Sequence, residues 1–262
     1  MLAKLIKYDL KSVSGVLCLI HGALLILTLG VRMTLLPYMN DITDAESVLS
    51  ILLTTVLIVA LVGSSYATYI FICVRFYKNV YSDEGYLTNT LPVTSGQLLL
   101  SKTISGSIWT SINIVFIFLS LYLAFIQPVY QTLTDTERSL FVFTDSGFAA
   151  LFIFSMLLSV VSEVVMLYFS IILGQFFKAH RILGAIASYF LLNTVISILS
   201  VIALLITEGG SALFAPTTES TMLFIMESMS GFFLVIDILM AIVTAACYFA
   251  SLYFMKKKRN LV

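Results

Sequence analysis

Charged side chains are scarce in this sequence: only 11% of its 262 residues are Asp, Glu, Lys or Arg. Soluble domains carry about 25% charged residues, so this composition excludes an ordinary soluble domain. Cysteine is also rare, and the three cysteines, Cys18, Cys73 and Cys247, all lie in apolar stretches. An odd number of such thiols excludes a disulfide framework and a cysteine metal cluster. We interpret them as packing residues.

Catalytic motifs are missing as well. The sequence has no G-x-S-x-G serine and no H-E-x-x-H helix, which an intramembrane hydrolase would need. Its two histidines, His21 and His180, have no partner at metal-ligand spacing, and His21 fits a hydrogen-bonded packing residue within an apolar run. We therefore expect no catalytic residue, no metal and no cofactor in this chain, which is predicted not to be an enzyme.

Long uncharged runs are what the chain has instead. An α-helix rises 1.5 Å per residue and needs about 20 apolar residues to cross roughly 30 Å of hydrocarbon. Six stretches reach that length, two of them by including a single acidic residue, Glu163 or Asp237. The sequence therefore predicts an all-α, polytopic membrane protein forming one transmembrane domain over residues 1–262. Its spans are expected near 13–35, 51–75, 104–127, 148–177, 183–206 and 232–255.

The sign of the charges predicts the orientation. All but two of the 14 basic residues lie before the first span, after the last, or in the loops after the second and fourth spans. The exceptions, Arg32 and Arg138, lie on the other side together with most of the acidic residues. Because cytoplasmic loops are enriched in Lys and Arg, both termini are predicted to be cytoplasmic.

The amino-terminal segment MLAKLIKYDLK is amphipathic. Leu2, Leu5, Ile6 and Leu10 share one helical face, and three lysines occupy the other. This pattern favours a short interfacial helix whose cations lie near anionic head groups. An ordinary solvated terminus with a positive bias is the alternative.

The loop over residues 207–231 has no single interpretation, because TMLFIMESMSGFF is largely apolar. It fits a segment lying on the membrane, a segment re-entering it, or an outward extension of the sixth helix.

Residues 76–103 read FYKNVYSDEGYLTNTLPVTSGQLLLSKT, and the last eight of them differ by one residue from the motif of a nucleotide-binding loop. That loop requires G-x-x-x-x-G-K-[ST] after a strand, but Ser101 replaces the second glycine. Thr94-x-x-Gln97 is instead a capping box, which predicts a helix from Thr94 through Lys102 into the third span. Before it, Ser82 is a candidate cap for a short cytoplasmic helix that Pro92 ends. This short helix is either a docking element for a soluble partner or a plain loop resting on lipid.

The same residues resemble the cytoplasmic loop between the second and third helices of ABC-2 type exporter permeases from Gram-positive bacteria, where SDEGYLT-TLPV precedes a helix bearing glutamine and lysine. The resemblance is close over about 30 residues and looser over the whole layout. It implies that the loop is a coupling helix in a groove of a separate ATPase subunit. The implied contact residues are Asp83, Glu84, Gly85, Tyr86, Leu87, Thr88, Leu91 and Pro92.

The resemblance also implies partners and location. We expect a cytoplasmic ABC ATPase that carries the ATP and Mg, a second permease subunit (identical or different), membrane lipid, and no nucleic acid. The implied location is the bacterial plasma membrane, and the implied cargo is a peptide or another amphipathic molecule. Antimicrobial peptides and self-immunity are among the roles found in that family.

Glu163 and Asp237 are acidic residues within predicted spans. A charged side chain at the bilayer centre costs about 2.5–3.5 kcal/mol on insertion scales, so it usually faces protein or water. Both are candidates for a substrate or proton path. The alternative is a hydrogen-bonded carboxyl packed against another helix, and Ser155, Ser159 and Ser162 are nearby candidate partners for Glu163. A proton-coupled secondary transporter and a non-transporting assembly subunit remain alternative functions.

Overall fold

The computed structural model describes residues 2–38, 44–82, 93–132, 146–177, 180–207 and 219–259. Within these ranges the chain is helical and contains no strand. We number the α-helices in chain order; a turn of π-helix, Tyr122–Ile126, separates the third from the fourth. The helices are α1 Leu2–Tyr38, α2 Asp44–Tyr81, α3 Ser95–Leu121, α4 Gln127–Thr132, α5 Ser146–Gly174, α6 Arg181–Ile206 and α7 Glu219–Arg259.

Six helical stretches are long and apolar enough to cross a membrane, which confirms the predicted number of spans and indicates a multi-pass membrane protein. They are Leu2–Thr34, Val48–Tyr81, Ser95–Ile126, Gly147–Gly174, Arg181–Ile206 and Met229–Lys257. Several extend beyond the predicted limits because backbone hydrogen bonding continues into flanking polar residues, whereas the prediction followed hydropathy alone. Numerous large apolar side chains are exposed along these helices, as expected of surfaces whose solvent is lipid.

The amphipathic amino-terminal segment is the first part of α1, which continues without a break into the first span. Leu2, Leu5, Ile6 and Leu10 are half-buried, and Lys4, Lys7 and Lys11 are exposed. That this segment forms an amphipathic interfacial helix on the membrane surface stays a prediction.

The chain divides into two compact units, and the first comprises Met1–Lys78 and Ile104–Val142. Its apolar core consists of Leu24 and Val31 from α1, Leu57 and Leu61 from α2, and Ala124 from the π-helical turn. The buried side chains of α1 recur every three or four residues, which places them on one face. They are Val13, Leu17, His21, Leu24, Thr28 and Val31.

The second unit comprises Asn79–Thr103 and Phe143–Val262. In its core lies the second half of α5, where most side chains from Val164 to Ile172 are buried. Helix α7 packs along α5. The ring centroids of Phe148 and Phe233 are 6.0 Å apart at one end, and those of Phe176 and Phe254 are 5.1 Å apart at the other. Because the contacts advance in the same direction along both helices, α5 and α7 are parallel.

Helices α5 and α6 form an antiparallel hairpin. Near its closed end, Gly174 and Gly184 each lie very close to residues of the opposite arm. A Cβ added to Gly174 would lie 2.6 Å from the carbonyl oxygen of Arg181 and 2.7 Å from the Cβ of Ala185. A Cβ added to Gly184 would lie 2.7 Å from Cγ of Phe177. Real Cβ atoms do not approach so closely, so the absence of a side chain at both positions permits the close approach of these described residues.

Residues 219–231 are helical and continuous with the sixth span, because α7 runs from Glu219 to Arg259. Of the three interpretations of the 207–231 loop, an extension of the sixth helix is correct for this part. Residues 208–218 lie outside the described ranges.

Candidate functional site

The predicted coupling helix, residues 82–92, lies outside the described residues except for Ser82. Asp83, Glu84, Gly85, Tyr86, Leu87, Thr88, Leu91 and Pro92 all belong to it, so their role stays a prediction. The structure does describe its two flanks: α2 ends at Tyr81 and α3 begins at Ser95. The segment therefore connects the second span directly to the third.

The capping box at the start of α3 is confirmed. The backbone N–H of Gln97 donates to the Thr94 hydroxyl at 3.2 Å, and the backbone N–H of Thr94 donates to the Gln97 side-chain oxygen at 3.2 Å. These reciprocal bonds satisfy two donors that a helix start leaves without intrahelical partners. They fix the point at which the chain enters the third span.

Lys102 lies within α3, as predicted, so the residues before it form no phosphate-binding loop. Its side chain is only 4% exposed. Its backbone carbonyl accepts a hydrogen bond of 3.1 Å from the hydroxyl of Tyr168 in α5. This contact joins the start of α3 to the buried half of α5 inside the second unit.

Glu163 lies in the middle part of α5 and is half-buried. The hydroxyl of Tyr189, on α6, donates to Glu163 Oε1 at 2.5 Å. The serines predicted as partners are engaged elsewhere: Ser159 donates to the carbonyl of Met156 and Ser162 to that of Leu158. The expectation of a serine partner was therefore wrong, and the carboxyl instead meets a donor on the neighbouring helix.

A single hydrogen bond offsets only part of the cost of a carboxylate in hydrocarbon. Hydrogen bonds between membrane helices contribute about 0.6 kcal/mol on average, against an insertion cost of about 2.5–3.5 kcal/mol. Among the described residues, Tyr189 is the only hydrogen-bond partner of Glu163. The second carboxyl oxygen, Oε2, therefore has no hydrogen-bond partner among the described residues.

Asp237 on α7 is more deeply placed, with 8% of its surface exposed. The hydroxyl of Ser155 on α5 donates to its Oδ2 at 2.6 Å. Seven residues further along both helices, the Thr244 hydroxyl donates to Ser162 Oγ at 2.6 Å. Together these two bonds form a polar ladder between α5 and α7. Asp237 therefore contacts α5 from α7, whereas Glu163, on α5, contacts Tyr189 of α6.

The first unit contains a separate polar cluster around His21. Its Nδ1 lies 2.7 Å from the carbonyl oxygen of Leu17, and its Nε2 lies 3.1 Å from Asn113 Oδ1. Asn113 in turn donates to the Ser65 hydroxyl at 3.3 Å. His21 thus connects α1 to α3 and, through Asn113, to α2, which confirms the prediction of a hydrogen-bonded packing residue.

The three cysteines do not share one environment. Cys247 is buried, as a packing residue should be, whereas Cys18 is exposed and Cys73 is intermediate. The packing interpretation is therefore wrong for Cys18.

A charged contact at the far end of α1 was not anticipated. Arg32 Nη1 donates to the side-chain oxygen of Gln127 and, at 3.4 Å, to the carbonyl oxygen of Leu123. Leu123 lies in the π-helical turn. Sequence reasoning used Arg32 only as a charge for orientation, although a proline, Pro128, just after this turn was a visible signal of irregular helix.

Comparison with protein-family models, with curated proteins and with solved structures gave no match.

Proposed function

We propose that this chain is the membrane-spanning permease subunit of an ATP-driven ABC exporter. A separate cytoplasmic ATPase supplies the energy, and a second permease subunit completes the transmembrane pathway. The cargo is a peptide or another amphipathic molecule. The observation that carries the proposal is the stretch SDEGYLTNTLPV, residues 82–93, with its resemblance to the coupling loop of ABC-2 permeases.

Two structural features support this proposal. The chain has six helices suited to crossing a membrane. The coupling segment lies between the end of α2 and the capped start of α3, so a force applied to this segment would reach two spans directly. Both features are compatible with other transporters, and the sequence resemblance favours the ABC class.

Within this proposal, a small apolar anchor formed by Tyr86, Leu87 and Leu91 enters a groove on the ATPase. Buried aromatic residues commonly contribute 2 kcal/mol or more at interface hot spots. Asp83 and Glu84 lie at the rim, where charges mainly steer association.

The test is a co-purification experiment with a co-expressed ABC ATPase, identified as an adjacent reading frame that contains G-x-x-x-x-G-K-[ST]. We expect Tyr86→Ala to lower ATPase retention about thirtyfold, the equivalent of about 2 kcal/mol, while the protein still inserts into the membrane. The pair Asp83→Lys and Glu84→Lys is expected to weaken association most at low salt. Lys102→Ala is expected to leave nucleotide binding unchanged, because Lys102 lies inside α3 and not in a phosphate-binding loop. Unchanged ATPase retention and transport in Tyr86→Ala would exclude segment 83–92 as the coupling element.

A proton-coupled secondary transporter is the second candidate. It is favoured by one observation, the half-buried Glu163 with a single tyrosine partner on the adjacent helix. The two candidates differ in their energy source: transport by the purified chain in vesicles with an imposed proton gradient and no ATPase would support the second candidate and contradict the first.

A further inference from the structure

Arg32 is the first charged residue of α1 after Lys11. At 1.5 Å per residue these two cations are separated by roughly 30 Å along α1, the thickness of the hydrocarbon core. We therefore expect Arg32 at the depth of the lipid head groups, at the end of the span opposite to Lys11.

The backbone beside Arg32 has a carbonyl without its usual partner. In the π-helical turn the N–H of Gln127 bonds to the carbonyl of Tyr122, five residues earlier. The next carbonyl, that of Leu123, would meet the nitrogen of Pro128, which carries no hydrogen. The guanidinium of Arg32 supplies the missing donor. Unsatisfied carbonyls are costly near hydrocarbon, so this bond gives Arg32 a fixed position.

Only one edge of the guanidinium is used by these contacts. Both hydrogen bonds come from Nη1, to Leu123 and to Gln127. Arg32 is half-buried, and its Nε and Nη2 have no partner among the described residues. These two nitrogens present parallel N–H groups, the geometry that binds two oxygens of a phosphate or carboxylate.

We propose that the Nε–Nη2 edge of Arg32 is a binding site for the phosphate group of a membrane phospholipid. The depth of Arg32 favours a lipid over a soluble anion. Tyr130, on α4, is 42% exposed three residues after Gln127, and tyrosines are enriched at this level of a bilayer. Because Nη1 is already held, little side-chain freedom is lost when a phosphate binds. This site is independent of the proposed transport function.

The experiment measures thermal unfolding of the purified full chain in detergent after removal of endogenous lipid. Added phosphatidylglycerol is expected to raise the Tm by about 3 °C, whereas diacylglycerol with the same acyl chains is not. Arg32→Gln is expected to lose this shift. Arg32→Lys keeps the charge but lacks the paired N–H donors of the guanidinium, so we expect it to bind phosphatidylglycerol about tenfold more weakly. Arg181→Gln, which removes an exposed cation in the second unit, is the matched control and is expected to keep the full shift.

Gln127→Glu keeps Arg32 in place but supplies an internal carboxylate, so it tests the site even if Arg32→Gln fails to fold. We expect Gln127→Glu to reduce the shift from phosphatidylglycerol. An equal shift in the wild type, Arg32→Lys and Gln127→Glu would overturn the proposal. If sodium phosphate alone produces the Arg32-dependent shift at similar concentration, the site takes soluble phosphate and its assignment to a lipid is wrong.

Discussion

Glu163 and Asp237 are both carboxyls within spans, but the side chains around them differ. Asp237 is almost completely buried and accepts a hydrogen bond from Ser155 on the adjacent parallel helix. Glu163 is half-buried and has a single partner, Tyr189. Each carboxyl has one hydrogen-bond partner among the described residues, so the two differ in burial rather than in partners. A buried carboxyl in a helix interface suits packing, whereas a half-buried carboxyl can also contact a ligand. Of the two, Glu163 is therefore the better candidate for the substrate or proton path that the proposed function requires.

Glu163→Gln separates these roles at one residue. Glutamine keeps an oxygen that accepts from the Tyr189 hydroxyl, so α5 and α6 are expected to pack as before, while the acidic group is lost. If the carboxyl binds cargo or a proton, we expect transport to fall about tenfold or more, since a hydrogen bond to a charged group contributes about 1.5–3 kcal/mol. The measurement is the transport rate at matched protein level and matched ATPase association. Full activity in Glu163→Leu would show that the carboxyl is only a tolerated packing residue.

At the scale of elements, the α5–α6 hairpin depends on two glycines whose neighbours differ in their freedom to move. A side chain at Gly174 would meet backbone atoms, the Arg181 carbonyl at 2.6 Å and the Ala185 nitrogen at 2.8 Å. A side chain at Gly184 would meet Phe177, whose ring is 54% exposed. An exposed ring can rotate away, but a helix backbone can adjust only by separating the two helices.

We therefore expect Gly174→Ala to destabilise the protein more than Gly184→Ala. Overpacking typically costs about 1–3 kcal/mol, which for a chain of this size lowers the Tm by about 5 °C. Gly63→Ala in α2 is the matched control, because beyond its chain neighbours and the backbone of its own helical turns no atom lies within 4 Å of its added Cβ. There the higher helix propensity of alanine is expected to leave the Tm unchanged or slightly raised. Equal Tm values for Gly174→Ala and Gly63→Ala would contradict the close approach of α5 and α6.

At the scale of the whole molecule, the orientation in the membrane is a prediction from charge that the structure helps to test. In a cysteine-free background, Asp44→Cys is expected to react with an impermeant thiol reagent in intact cells. A labelling site on the predicted cytoplasmic side must be accessible to the reagent after permeabilisation. Lys78 is exposed and the neighbouring Asn79 is buried, so Lys78 is the better position. Lys78→Cys is expected to react only in permeabilised cells. The reverse pattern would place both termini outside.

Sequence predicted the number and approximate limits of the spans because the hydrocarbon core imposes a long uncharged run on every crossing helix. It also predicted the start of α3, since the Thr94–Gln97 capping box is local. The partners Tyr189 of Glu163 and Asn113 of His21 were not predicted, because helix rotation and pairing depend on packing rather than on hydropathy. The π-helical turn was missed for a related reason. Pro128 indicates that the helix is irregular near this point, but the donor to the Leu123 carbonyl is Arg32, which is far away in sequence.

The ladder between α5 and α7 has a mechanical consequence. Ser155–Asp237 and Ser162–Thr244 have the same offset in sequence and lie about 10 Å apart along the helices. Sliding one helix past the other by a single turn would break both bonds together, so the pair resists shear along its axis. Because α5 and α7 are parallel and are joined at two levels, we expect a force along their axes to move them together.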